Sequence, residues 1–151
     1  AEAGAAFGEF WEQGWAEKLR ARETRAVPYA AQTISAVDYI NALRLRGRLH
    51  RELGEWLGSY DAVVTPTLKK VAPPLEGRFG PYFGAYRRLP VTALGNLLGW
   101  PCITVPNGFG ERGLPTAIQF VAAPGGENRV LAMAMAFQQE TDWHLNRPEG
   151  A

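Results

Sequence analysis

The hydrophobic residues follow a helical period in three segments of the chain. Ser35 stands at a predicted N-cap with Asp38 three residues later, and the amphipathic pattern after it predicts a helix over residues 36–58. Close to the start, apolar residues four positions apart predict another helix: Phe7, Trp11, Trp15 and Leu19. Near the carboxy terminus the pattern predicts a third helix, whose core-facing residues are Val130, Leu131, Met133, Ala134 and Phe137.

Shorter apolar runs predict three strands and one more helix. The run YDAVVTPT predicts a buried strand of about four residues that Pro66 stops. The run VTALGNLLGW predicts a short helix ending near Gly99, because the following Pro101 cannot continue it. After it, CITV predicts a central strand, and NG with two further glycines predicts the turn of a hairpin into LPTAIQFVA.

Helices and strands in this order predict an α/β or α+β fold. A sheet of only three strands, two of them apolar enough to be buried, would leave open edges that an independent domain normally covers. We therefore expect further strands outside these 151 residues, so that the chain completes a larger structure. Between the first strand and the short helix, residues 68–88 are rich in proline, glycine and aromatic residues, which predicts a long ordered surface loop.

Composition and charge exclude several classes of protein. The 151 residues are 46% hydrophobic and 21% charged with net charge +1, which is typical of one globular domain. The longest apolar runs are too short to cross a membrane and the start shows no secretion signal, so we expect a cytoplasmic protein without membrane contact. Glu52 and Glu55 stand four residues after Arg48 and Arg51, which favours a salt-bridged solvent face over nucleic-acid binding.

Few side chains are candidates for chemistry. Cys102 lies in an apolar run, which predicts a buried, inert thiol. His50 is expected to be solvated, and Asp142 is poorly placed to orient His144 because residues two apart on a helix point in different directions. One cysteine and two histidines make no cluster at metal-ligand spacing, so no metal site and no cofactor are expected.

Four motifs resemble, in order and spacing, the carboxy-terminal portion of the amidase signature family. They are YDAVVTPT followed by APP, NLLGWPCITVPNGF, GLPTAIQF and LAMAMAFQQETDWHLNRP. The resemblance covers residues 39–148, and its core is Asn-x-x-Gly-x-Pro-x-x-x-x-Pro-x-Gly followed by Gly-Leu-Pro-x-x-x-Gln. It implies a hydrolase of carboxamide C–N bonds built on one large mixed sheet wrapped by helices.

The catalytic groups that the resemblance implies have no counterpart in this chain. The family uses a serine nucleophile, a second serine in a cis peptide and a lysine base, carried in a Gly/Ser-rich segment. Here the two serines, Ser35 and Ser59, flank a predicted helix, and the three lysines, Lys18, Lys69 and Lys70, do not match the base. We therefore expect no catalytic residue in this chain and place the reactive groups upstream of it.

The resemblance does imply a substrate-pocket wall just before the hairpin. In similar proteins this region lines the acyl pocket, which points to Phe79, Tyr82, Tyr86, Thr92 and Asn96. A purely structural role is equally open, with Asn96 capping backbone and Thr92 starting a helix. The A subunits of glutamyl-tRNA amidotransferases carry an Asp three residues before this Thr to pair with the ammonium of glutamine. The equivalent residue here is Leu89, which favours an amidase acting on less charged amides.

These observations predict that residues 1–151 are the carboxy-terminal part of a single amidase domain, inactive alone. Its partners would be the missing amino-terminal part of the same chain and a small-molecule amide, and a homodimer stays open. Three alternatives remain. One is a binding or scaffold module that keeps the family shell without its chemistry, and another is an A-subunit-like glutamine amidotransferase component. The last, an enzyme complete in itself, would require Ser35 or Ser59 as nucleophile.

Overall fold

A computed structural model describes residues 1–19, 25–75 and 90–147 of the chain. The chain divides into two compact units, residues 1–48 and residues 49–151. The helix α4, Ala36–Leu57, begins in the first unit and ends in the second. Within the described residues no helix is both long enough and apolar enough to cross a membrane.

The first unit consists of short helices rather than the continuous helix that the aromatic spacing predicts. They are α1 (Glu2–Ala6), α2 (Gly8–Glu12), a 3₁₀ turn (Trp15–Lys18) and α3 (Val27–Gln32), followed by the first part of α4. Phe7 interrupts the pattern between α1 and α2, and Gly14 has φ = 71°, a left-handed conformation that glycine adopts at little cost. The prediction of one helix was therefore wrong, because a glycine sits where the backbone turns.

The long helix α4 begins where its N-cap predicts. The Asp38 N–H donates a hydrogen bond of 3.1 Å to Ser35 Oγ, and the Ser35 hydroxyl donates to Asp38 Oδ2 at 2.7 Å. The predicted span of 36–58 is confirmed to within one residue at its end. Leu57 is fully buried, but Ile40 and Trp56 on the predicted apolar face are largely exposed, so much of that face is not covered by the described residues.

Replacing Ser35 tests the cap. Because Ser35 Oγ satisfies a backbone N–H at the start of a 22-residue helix, we expect Ser35→Ala to lower the free energy of unfolding by about 1 kcal/mol. Chemical denaturation of the protein measures this change. Ser35→Thr keeps the hydroxyl and is expected to recover most of the loss, whereas an unchanged stability in Ser35→Ala would show that the hydroxyl does not cap α4.

A three-stranded antiparallel sheet forms the centre of the second unit. Its strands are β1 (Val63–Pro66), β2 (Cys102–Phe109) and β3 (Pro115–Val121), in the order β1-β3-β2. The predicted hairpin of β2 and β3 is confirmed, but β3 is the central strand and β2 lies at an edge of this sheet. The first strand has the predicted length but not the predicted burial, because it pairs on one side only and Val64 is 54% exposed.

The chain reverses in the later part of the predicted turn, and the Asn-Gly pair at its start belongs to the strand. Asn107 and Gly108 form a β-bulge inside β2, where the register with β3 shifts, and Gly108 has φ = 137°. The Thr116 hydroxyl donates a hydrogen bond of 2.9 Å to Asn107 Oδ1 across the bulge. The chain reverses at a 3₁₀ turn, Glu111–Gly113, closed by the Gly110 N–H donating to the Leu114 carbonyl at 2.8 Å.

Two helices accompany the sheet. The short helix α5 (Pro90–Leu98) ends before Gly99 as predicted, and α6 (Glu127–Gln139) confirms the carboxy-terminal helix. The core is a cluster of buried residues from β2, β3 and α6, together with the residue that follows β3: Val105, Phe120, Ala122, Val130 and Ala134. Met133 and Phe137 pack against this cluster, but Leu131 is 49% exposed, so its predicted core position was wrong. On a helix it lies about 100° from Val130, outside the stripe facing the sheet.

Candidate functional site

The predicted pocket wall is only partly within the described structure. Phe79, Tyr82 and Tyr86, and also Leu89, lie outside the described residues, as does most of the predicted surface loop. Thr92 and Asn96 both belong to α5. The role of these five pocket residues therefore remains a prediction.

Helix α5 carries Asn96 one turn after Thr92. The position of the helix is set by Gly95 and Leu98, which are buried, and a Cβ built on Gly95 would lie 3.9 Å from Val121 Cγ1 in β3. The helix thus packs its small residue on the sheet, while the Asn96 side chain is exposed. An exposed amide in a fixed helix is available to a substrate without breaking a core contact.

The serines and lysines lie on different elements of the structure. Ser35 Oγ is bonded to Asp38 at the start of α4, and Ser59 is exposed in the turn that follows the helix. Lys18 lies in the 3₁₀ turn of the first unit, while Lys69 and Lys70 are exposed after β1. Among the described residues, no group of three or more histidine, cysteine or acidic side chains could hold a metal ion.

Cys102 is exposed rather than buried, which corrects its predicted position. The reason is its place at the first residue of β2, on the edge of the sheet. The thiol donates to Gln119 Oε1 at 3.3 Å, and partial burial of the sulfur raises the pKa of Cys102 above its ordinary value, against the opposing effect of a hydrogen bond from Thr104. A raised pKa reduces the fraction of thiolate, which is the nucleophilic form of cysteine.

The two histidines lie in different surroundings. His50 is exposed on α4, as expected. His144 lies in a 3₁₀ turn, Trp143–Leu145, whose preceding residue Asp142 accepts the Leu145 N–H through its backbone carbonyl at 3.0 Å. Within the described chain, His144 Nδ1 is buried and has no hydrogen-bond partner, so Asp142 does not orient the imidazole through that atom.

The sequence comparisons identify the framework that these elements form. The family model described as Amidase matches residues 6–131 of this chain. The chain belongs to the amidase family. This confirms the resemblance that the hairpin motifs carry. The match includes α5, β2, the bulge and β3, and it ends within α6.

Curated members of the amidase family share about a third of the aligned residues. The A subunit of the glutamyl-tRNA(Gln) amidotransferase from Legionella pneumophila is 34% identical over 110 residues, 73% of this chain. Its counterpart from Desulforudis audaxviator is 36% identical, also over 110 residues. The alignments cover only 23% and 22% of those two proteins, so the chain spans less than a quarter of the curated relatives it matches.

Solved structures place the chain within the amidase fold. A crystal structure of an amidase superposes with a TM-score of 0.77 at 26% identity, covering 92% of this chain and 32% of that one. The glutamyl-tRNA(Gln) amidotransferase A subunit from Thermotoga maritima superposes with a TM-score of 0.61 at 27% identity, covering 89% and 28%. The expected α/β class, with this chain accounting for part of a larger fold, is thus confirmed.

The amidase-family motifs did not reveal one feature of this region. A cavity of about 360 Å³ lies between the end of the β2–β3 hairpin and the 3₁₀ turn that carries His144. The only trace of it in the sequence is the aromatic and basic residues of TDWHLNRP, whose position beside the hairpin depends on the tertiary fold.

Proposed function

We propose that this chain is the carboxy-terminal part of an amidase domain that hydrolyses a carboxamide C–N bond to a carboxylate and ammonia or an amine. The nucleophile, its cis-peptide serine and the lysine base would lie in the preceding part of the same polypeptide. This part would supply sheet core and a portion of the substrate wall.

One observation carries the proposal. The chain has the amidase framework over residues 6–131, yet both of its serines and all three lysines stand outside any arrangement for acyl transfer. Amide hydrolysis needs an activated nucleophile, a base and oxyanion donors. A family scaffold without these groups, aligned to less than a quarter of its relatives, is best explained as the supporting part of the catalytic domain.

The substrate preference follows from Leu89. An aliphatic side chain cannot pair with the ammonium of glutamine, and a hydrogen bond to a charged group contributes roughly 1.5–3 kcal/mol. We expect the full-length protein to hydrolyse neutral amides with a kcat/KM at least about tenfold above that for glutamine. Ammonia release from propionamide, benzamide and glutamine measures these kcat/KM values. Leu89→Asp is expected to raise kcat/KM for glutamine relative to that for the neutral amides.

The second candidate function is favoured by a specific observation. The two curated relatives described above are both A subunits of glutamyl-tRNA(Gln) amidotransferases, a name that describes amide transfer by an enzyme of more than one subunit. If this chain shares that function, glutamine is the preferred substrate and Leu89→Asp brings no gain. A binding or scaffold module without chemistry predicts no hydrolysis of any amide by the full-length protein.

Asn96 tests the proposed substrate wall. Because its side chain is exposed on α5, Asn96→Ala removes one amide without opening a core cavity. We expect the full-length protein to keep its melting temperature while kcat/KM falls by roughly 3–10-fold through a higher KM, as the loss of one neutral hydrogen bond implies. Steady-state kinetics and thermal melting separate this role from backbone capping, which would lower the melting temperature and leave KM unchanged.

A further inference from the structure

The cavity beside the hairpin has walls of two chemical kinds. Phe109 and Trp143 form an edge-to-face pair with ring centroids 6.1 Å apart, and both rings remain well exposed. Pro106, Leu114 and Pro115 add apolar surface from the two strands and the turn between them. Its volume of about 360 Å³ is at the lower end of the range for pockets that bind small molecules.

The polar part of the wall comes from the residues that follow the 3₁₀ turn. Arg147 Nη1 donates to the carbonyl oxygens of His144 at 2.7 Å and Asn146 at 3.2 Å, which holds the guanidinium against the turn. These two bonds use one nitrogen, so the Nη2 and Nε donors are not consumed by them. His144 also lines the cavity, and its Nδ1 is the buried imidazole nitrogen without a partner in the described chain.

The charge of the cavity has one sign. Of its lining side chains within the described residues, Arg147 is a cation and none carries a carboxylate. An anion in the cavity therefore meets one cation and, among the described lining residues, no carboxylate. A guanidinium binds a carboxylate through two parallel hydrogen bonds.

We propose that this cavity binds a small aromatic carboxylate. The flat ring lies against Phe109 and Trp143, and the carboxylate pairs with Arg147. An aromatic body is favoured because exposed aromatic walls contact a flat ring over a large apolar area. The inference does not depend on amide hydrolysis, because none of these residues belongs to the predicted substrate wall.

The bulge explains how the cavity is built. Gly108 lines it, and a Cβ at this position would lie 3.9 Å from Trp143 Cζ2 and 4.0 Å from Thr116 Oγ1. The extra residue bends β2 beside the turn that carries Trp143. Bulges frequently change the direction of a strand end in this way. The family hairpin and the carboxy-terminal turn thus create the site together.

Fluorine NMR of 4-fluorobenzoate with the full-length protein tests the proposal. We expect saturable binding at one site. The dissociation constant should be at least about tenfold higher in Arg147→Gln, and it should also be higher in Trp143→Leu. The matched control is Arg129→Gln, which removes an exposed arginine of α6 that is paired with Asp61 at 3.9 Å, and it should bind like the unchanged protein. 4-Fluorobenzyl alcohol, which keeps the ring and lacks the charge, should bind at least about tenfold more weakly.

Three results would overturn the proposal. The first is no saturable binding of 4-fluorobenzoate, and the second is equal affinity for the acid and the alcohol. The third is an affinity that Arg147→Gln and Trp143→Leu leave unchanged, which would place the bound acid elsewhere, such as in a product site. Amide hydrolysis measured on the same samples keeps the two proposals separate, because Arg147→Gln should leave kcat unchanged.

Discussion

The 151 residues alone should hydrolyse no amide above the uncatalysed rate, whereas the full-length protein should exceed that rate by at least about 10⁶-fold. The expectation rests on the positions of the candidate nucleophiles. Ser35 Oγ is committed to capping α4, and Ser59 lies exposed in a turn. A serine hydroxyl at its ordinary pKa attacks an amide poorly unless a neighbouring base takes its proton.

Ammonia release from a panel of neutral amides measures this prediction on both proteins at equal concentration. In the full-length protein, Ser59→Ala should keep kcat/KM within about twofold, because it removes no catalytic group. Ser35→Ala should do the same at a temperature where it remains folded. A fall in kcat/KM of about three orders of magnitude in either variant would show that the chain contains its own nucleophile. Turnover by the 151 residues alone that is lost when Ser35 or Ser59 is replaced would show the same.

Phe120→Ala is expected to lower the free energy of unfolding of the full-length protein by about 3–5 kcal/mol. Phe120 lies in the central strand β3, is 7% exposed, and packs in the core cluster with its ring centroid 6.2 Å from that of Phe137. Removing the ring leaves a cavity between the sheet and α6. Partial collapse of rigid neighbours cannot fill that space, so the loss exceeds the transfer free energy alone.

Chemical denaturation monitored by tryptophan fluorescence measures this loss. Phe120→Leu retains most of the apolar volume and should cost less than about 2 kcal/mol. If Phe120→Ala were no more destabilising than Phe120→Leu, Phe120 would not be part of a packed core. The β3–α6 packing would then contribute little to stability.

The sequence predicted the elements with strong local patterns. The cap at Ser35, the end of α5 before Gly99, and the hairpin of β2 and β3 all appear as expected, because each depends on residues close in sequence. The family motif in the hairpin also predicted the fold to which the chain belongs. Short-range hydrogen bonding and hydrophobic period thus account for these elements.

The errors share a different physical origin. Asn107 and Gly108 are typical turn residues, but the same left-handed freedom also suits a bulge, and only the pairing with β3 decides between the two. Cys102 and Val64 are exposed because their strands lie at the edges of this sheet, a property of strand order rather than of local sequence. The cavity at Trp143 likewise depends on a contact between segments far apart in the chain.

Some apolar side chains of the sheet and of α6 are exposed, and the proposed function accounts for their exposure. Val64 on β1, and Leu131 and Met135 on one side of α6, are each about half exposed or more among the described residues. Such surfaces normally pack against further structure. In the proposed full-length domain, the preceding strands and helices would cover them, which agrees with the central, buried character that the sequence assigns to β1 and β2.

Covalent labelling of the nucleophile tests the central claim most directly. The full-length protein and the 151-residue chain are each treated with a phosphonylating reagent specific for activated serine, and the modified residue is located by peptide mass spectrometry. The account predicts stoichiometric labelling of one serine that precedes Ala1 and no adduct within these 151 residues. An adduct on Ser35 or Ser59 would contradict it.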